Sequence, residues 1–156
     1  MAKEQAEQAA EEQQQSETAT ISLFSKELLR DILLPDLLGK DHSQVLYWSG
    51  KQLARKFPLQ SLEEVAAFFD NAGWGTLEKE KESKNQAEFV LSGEIVTRRF
   101  AITDEPEFQL EAGFLAQQLQ QQKSRITEAA VETKKRGAKA NFLVRWDTKD
   151  IIRDEV

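Results

Sequence analysis

The side chains able to do chemistry in this sequence are few. It has one histidine, His42, and no cysteine. Thiolate metal sites, thiol nucleophiles, disulfides and multi-histidine centres are therefore excluded at the outset. Acid–base work would fall to carboxylates such as Glu63, Glu64, Glu111, Glu128 and Glu132. Glu111 is the best placed, because it follows Leu110 within an expected helix and precedes the small residues Ala112, Gly113 and Ala116. A carboxylate pair can shuttle protons, but charged helix residues are overwhelmingly solvated or ion-paired. No nucleophile–base arrangement, phosphate-binding glycine loop or metal-ligand spacing occurs. The expectation is a protein that is not an enzyme and holds no cofactor and no metal. A second set of residues could bind rather than react. Tyr47, Phe68, Phe69, Trp74 and Phe114 could line a pocket for a small apolar ligand, with Arg55 and Glu111 as polar anchors. The competing expectation is that these aromatics fill the core. His42 is expected only to flank the start of a helix.

Composition narrows the partners. The chain has 156 residues, 40% hydrophobic and 31% charged, with a formal charge of −6. An acidic surface does not suit phosphate neutralisation, so no nucleic-acid partner is expected. The basic run Lys134-Lys135-Arg136 reads as a solvated hairpin tip. No stretch approaches the roughly 18 apolar residues of a membrane span, and no leader-like run opens the sequence. These features predict a soluble, cytoplasmic protein with no membrane insertion. Residues 1–18, rich in Gln, Glu and Ala, have no face to bury and are expected to form a disordered or frayed tail. A single domain is expected over 19–149, with a second tail at 150–156.

The elements that must position these residues follow from periodicity. Phe24, Leu28 and Ile32, with Leu29 and Leu33 beside them, predict a helix from about Ile21 to Leu34. Its apolar arc spans about half the circumference, wider than one core requires, so it is expected to pack on two sides. Pro35 is expected to kink or end it, and Gly39 to close the following turn. A second helix from about Ser43 to Pro58 carries the stripe Leu46, Gly50, Leu53, Ala54 and Phe57. A glycine in mid-helix costs roughly 1 kcal/mol relative to alanine, which points to another backbone pressing against Gly50. Trp48 and Arg55 lie roughly opposite that stripe. Ser61-Leu-Glu-Glu64 matches a capping box, followed by Val65, Phe68 and Phe69 as a buried face and Gly73 as the C-terminal cap. Strands are expected at Thr76–Lys81, Gln86–Ser92, about Ile126–Thr133 and about Ala138–Asp147, where Phe142, Val144 and Trp146 alternate. Glu94 to Ile102 reads equally as a short strand or a helical turn. Pro106 opens a helix expected over Glu107–Gln122. The order α-α-α-β-β-α-β-β indicates an α+β fold, a helical layer packed on a four-stranded antiparallel sheet.

Five segments carry a family resemblance: LLRDILLPDLLGKD (Leu28–Asp41), LYWSGKQLARKFPL (Leu46–Leu59), EEVAAFFDNAGWGTL (Glu63–Leu77), FQLEAGFLAQQLQ (Phe108–Gln120) and VRWD (Val144–Asp147). Together they cover nearly everything but the tails, and they resemble the YslB-like family of small proteins from Gram-positive bacteria. That family is similar in fold to a superfamily that includes haem NO sensors, TRAPP-type trafficking subunits and vinyl-reductase-like domains. The resemblance implies helices on a four-stranded antiparallel sheet, frequent dimerisation through the first helices and often an apolar pocket. Gly50 and Ala112-Gly113-Phe114 sit where that superfamily places a Gly-containing second helix and an AGF-type later helix. The departures are equally specific. The one histidine precedes the second helix, and no Tyr-x-Ser-x-Arg set occurs. The acylated cysteine and the cysteines around the last hairpin are absent as well. The expected function is a dimeric interaction or adaptor domain. Leu29, Leu33 and Trp48 would form its interface, and Gly50, Ala54, Ala112, Gly113 and Ala116 its internal helix packing. A homodimer is the expected partnership, with a protein partner or a small apolar ligand as the alternatives.

Overall fold

In the computed structural model, residues 2–8 and 20–153 are described. Residues 2–8 are helical with every side chain exposed; the rest of the expected N-terminal tail, and residues 154–156, lie outside the described residues. The first helix of the domain, α1, consists of three consecutive pieces: Leu23–Glu27, a π-helical turn at Leu28–Leu33, and Leu34–Leu38. The chain therefore continues as a helix through Pro35, contrary to expectation. In the π-turn the Leu34 N–H bonds back five residues to the Leu29 carbonyl. The wider turn moves hydrogen bonding out of the α register in which a proline ring meets the carbonyl four residues before it. A short 3₁₀ turn at Gly39–Asp41 then leads to α2 (His42–Lys56) and α3 (Leu62–Asn71). Gly39 and Gly73 both adopt positive φ, +59° and +69°, where the chain leaves α1 and α3.

Four strands follow, β1 (Thr76–Glu82), β2 (Gln86–Ser92), β3 (Arg125–Lys134) and β4 (Lys139–Ile151), with α4 (Glu94–Ile102) and α5 (Gln109–Lys123) between β2 and β3. They form one antiparallel sheet in the order β1-β2-β4-β3. The helices pack on one face of it, as an α+β fold requires. The segment left open between strand and helix is thus α4, and β4 extends past its expected end to Ile151. Helix α5 starts at Gln109, three residues after Pro106, because the Glu107 carboxylate accepts the Gln109 N–H at 3.0 Å. The α3 cap is likewise shifted. Ser61 Oγ accepts the Glu64 N–H at 3.2 Å, but the Glu64 carboxylate reaches the N–H of Gln60, one residue earlier than a reciprocal box would place it.

Helix α5 is the centre of the domain. Every residue from Glu111 to Leu119 is buried, between α2 on one side and the sheet, mainly β3, on the other. The backbones of α2 and α5 touch. A Cβ placed on Gly50 would lie 2.1 Å from the Leu110 carbonyl oxygen, and one on Gly113 would lie 2.0 Å from that of Tyr47. Ala54, Ala112 and Ala116, all fully buried, keep the neighbouring turns thin enough for this approach. The glutamines of α5 fasten the α2–α3 connection. Gln118 accepts the Leu59 N–H at 3.0 Å and donates to the Phe57 carbonyl at 2.8 Å, while Gln121 and Gln122 donate to the carbonyls of Ala54 and Leu59. These bonds satisfy carbonyls that the end of α2 leaves without helical partners.

Candidate functional site

The aromatic residues expected to line a pocket pack ring against ring. Phe68 stacks on Phe114 with centroids 4.5 Å apart. Trp74 meets Phe69 and Phe114 edge-on at 5.0 and 5.2 Å. Phe69, Trp74 and Phe114 are buried and Phe68 is half-buried, so the four side chains form part of the hydrophobic core. The expected anchors do not join them. Arg55 lies exposed on the outer side of α2, because the α2 face that turns inward is the one holding Leu46, Gly50 and Ala54. Tyr47 instead reaches the edge strand β3, where its hydroxyl accepts the Ala129 N–H at 3.0 Å and donates to the Glu128 carboxylate. Lys51 completes the group at 2.7 Å from Glu128. Burial, reinforced by the bond to Glu128, pushes the Tyr47 hydroxyl well above the usual tyrosine range. Burial alone would raise Glu128, but the bonds from Lys51 and Tyr47 outweigh it and hold its carboxyl below the usual range. This trio closes a sheet edge that would otherwise offer free N–H groups.

Glu111 leads to a different place, a buried ion cluster that joins α1 to α4 and α5. Its carboxylate accepts from Arg30 of α1 and from Arg99 of α4, the latter at 3.3 Å. Arg99 also binds Asp31 of α1 at 2.8 Å. Both guanidinium groups converge on the Glu107 carbonyl, which is free because α5 begins later than the sequence suggests. Arg98 grips Glu27 through two bonds of 2.5 and 3.1 Å. Arg99 also lies over the Phe108 ring, 4.3 Å from its centroid. The side chain of Glu111 is 0% exposed and that of Arg99 is 4% exposed. Buried charges of this kind are tolerated only when each is matched.

Beside the cluster lies a cavity of about 10 Å³, walled by Lys26, Arg30, Asp31, Trp74, Arg99 and Glu111 among others. That is about the space of one water. Two buried atoms on this wall, Arg30 Nε and Asp31 Oδ2, have no hydrogen-bond partner among the described residues. Lys26 runs over Gly73, and its Nζ lies 3.1 Å from where a Cβ there would stand. Burial, together with the Arg30 charge, lowers the Lys26 ammonium to about 8.

None of Glu27, Arg30, Asp31 or Arg99 is singled out by periodicity. On paper they are the polar side of amphipathic helices. The available signal was the narrow charged stripe Glu27, Arg30, Asp31 opposite an over-wide apolar arc, together with an Arg pair inside the apolar run Ile95–Ile102. Helix α1 is in fact inverted. It turns Glu27 and Arg30 inward and leaves Phe24, Leu28, Leu29, Ile32, Leu33 and Leu37 exposed, Leu29 at 59% and Leu37 at 69%. Trp48, on the outer side of α2, is 61% exposed.

Comparison with known proteins places this arrangement. A relative from Bacillus subtilis (strain 168), described as uncharacterized protein YslB, is 49% identical over 132 residues, which is 85% of this chain and 89% of that protein. Among solved structures, a vinyl-4-reductase family protein from Methanocaldococcus jannaschii is similar with a TM-score of 0.60 at 20% identity, covering 85% of both chains. An Fe(II) unliganded H-NOX protein from K. algicida is similar with a TM-score of 0.52 at 12% identity, covering 84% of this chain and 76% of the other. These two likenesses establish a shared fold of helices on an antiparallel sheet. A family model described as a protein of unknown function (DUF2507) matches residues 23–145, from the start of α1 into β4. The chain belongs to the DUF2507 family.

Proposed function

We propose that this protein is a non-enzymatic interaction domain that pairs with a second copy of itself through the outer face of α1. The observation that supports this reading is the inversion of that helix. Its six large apolar side chains, Phe24, Leu28, Leu29, Ile32, Leu33 and Leu37, are each between 42% and 69% exposed. Together they present on the order of 500 Å² of apolar surface, at the upper end of what a typical monomer leaves in water. Two such faces brought together would bury about 1,000 Å² before any flanking residue is counted, which is the threshold for a specific interface. A second copy fits better than a partner of another kind. The buried charges of α1 are spent on α4 and α5, so the outer stripe is apolar and self-complementary, as an isologous two-fold contact requires.

Sedimentation or light scattering at micromolar concentration tests the reading. A dimer is expected, and Leu29→Glu with Leu33→Glu should yield a monomer whose circular dichroism is unchanged. A wild-type protein that is monomeric under those conditions sinks the proposal. So does a double variant that loses its fold, since that would place these residues in the core. The alternative of a small apolar ligand draws support from fold likeness alone, and the aromatics that would line such a site are packed against one another.

A further inference from the structure

The cavity under α1 brings together three groups whose hydrogen-bonding needs are unmet. Lys26 has no ion-pair partner among the described residues, although Glu27, Arg30, Asp31, Arg99 and Glu111 beside it all have one. Arg30 Nε offers an N–H with no acceptor, and Asp31 Oδ2 is an acceptor with no donor. Both side chains are more than nine-tenths buried, at 8% and 2% exposure, and both line the same space as Lys26. The π-turn that begins two residues after Lys26 is of the kind that recurs at functional sites.

We propose that Lys26 is a carbon dioxide capture site, its amine forming a carbamate held between Arg30 and Asp31. The step is balanced as Lys–NH₂ + CO₂ → Lys–NH–COO⁻ + H⁺. The nitrogen lone pair forms the new N–C bond, one C=O π pair moves onto oxygen, and the proton leaves to solvent. Three features select this chemistry. The amine is activated in the way nucleophilic lysines are, by desolvation and a neighbouring cation, and at about 8 it is substantially neutral near physiological pH. The charges around it favour an anion at that position, because Arg30 acts on Lys26 more strongly than Glu111 does, and Arg99 more strongly than Asp31. A carbamate also satisfies both orphan atoms. Its oxygens accept the Arg30 Nε–H, and its N–H donates to Asp31 Oδ2. The cavity of about 10 Å³ restricts the electrophile to one of very few atoms, and Gly73 leaves the amine room on its other side. This proposal does not depend on whether the protein dimerises.

The test uses the full-length protein in ¹³C-bicarbonate at pH 8, followed by trapping of carbamates with an alkyl oxonium reagent and peptide mass mapping. At that pH an ordinary lysine, with a value near 10.4, holds roughly a hundredfold less neutral amine than one at 8. Trapping is therefore expected at Lys26 and at the chain's α-amine, the internal reference, and at least tenfold less at every other lysine. The ¹³C carbamate resonance that remains after the α-amine is acetylated should vanish in Lys26→Met and in Lys26→Arg. Trapping at the α-amine with none at Lys26 overturns the proposal. Equal trapping at Lys26 and the exposed lysines overturns it too, as does a resonance that persists in both variants.

Discussion

Replacing Glu111 by Gln changes one oxygen to an amide nitrogen and leaves the volume of the side chain intact, so its effect isolates charge. In the native cluster Glu111 is the shared counter-ion of Arg30 and Arg99, with side-chain exposures of 0%, 8% and 4% respectively. Arg99 keeps Asp31 after the substitution. Arg30 keeps only the Glu107 carbonyl, and the new amide can turn an N–H toward a guanidinium. Removing one partner of a buried ion pair costs about 3–5 kcal/mol, a large part of a total stability of about 5–15 kcal/mol. For a chain of this length the midpoint of thermal unfolding should fall by roughly 10 °C. The urea midpoint should fall by about 2 M with an unchanged slope. The companion variant is Arg30→Met in the Glu111→Gln background. It removes the orphaned guanidinium and should recover at least about 1 kcal/mol, since an apolar replacement of a buried pair is often nearly neutral. Denaturant titration of the four proteins closes the cycle. A Glu111→Gln variant within about 0.5 kcal/mol of wild type would refute the picture of a matched buried cluster. Purely additive losses in the double variant would refute it as well.

Other outcomes follow from single contacts. Gly113→Ala puts a methyl 2.0 Å from the Tyr47 carbonyl; the overpacking should cost about 1–3 kcal/mol by denaturation, outweighing the roughly 1 kcal/mol gained in helix propensity. Tyr47 stays protonated in the folded state at pH values where the unfolded chain ionises. The folded state then binds more protons, so stability should fall as pH rises above about 10, and Tyr47→Phe should abolish that alkaline loss. Lys26 has the opposite sign, because its folded value of about 8 lies below the ordinary lysine value. Stability should rise between pH about 8 and 10, and Lys26→Met should stabilise the protein at pH 7 by about 1 kcal/mol, less than the shift alone implies because the side chain is partly solvated. Thermal melts across that pH range check both signs.

The parts of this molecule legible in the sequence are those fixed by local or steric rules. A glycine at Gly50 in mid-helix and another at Gly113 beside alanines imply two helices in backbone contact, and strand alternation locates β2 and β4. The cluster was not legible, because periodicity marks which residues share a helix face but not which way that face turns. For α1 the natural inference is that Leu28 and Ile32 help fill the core; instead Arg30 and Glu27 are turned inward, and only the positions of Arg99 and Glu111, 68 residues or more away in sequence, make that intelligible. The late start of α5, which frees the Glu107 carbonyl, was hidden by Pro106, a residue that ordinarily marks a first turn. The glutamines of α5 read as low-complexity polar sequence, yet Gln118 is fully buried and holds the α2–α3 connection.

The π-turn of α1 has a consequence for how this chain can change length. Such a turn carries one residue more than an α-helical turn. Deleting one residue between Leu28 and Leu33 would restore regular α-helix and rotate everything after it by about 100° about the axis. Leu37 would leave the row it shares with Leu29 and Leu33, and Pro35 would return to the register in which its ring opposes a carbonyl. A one-residue insertion would add a further rotation and part the same row. Loops elsewhere in the domain can lengthen or shorten, but this segment is read in a fixed frame. In alignments of relatives, gaps should be scarce between Leu28 and Leu38 and accumulate instead at the hairpin tips around Lys84 and Arg136.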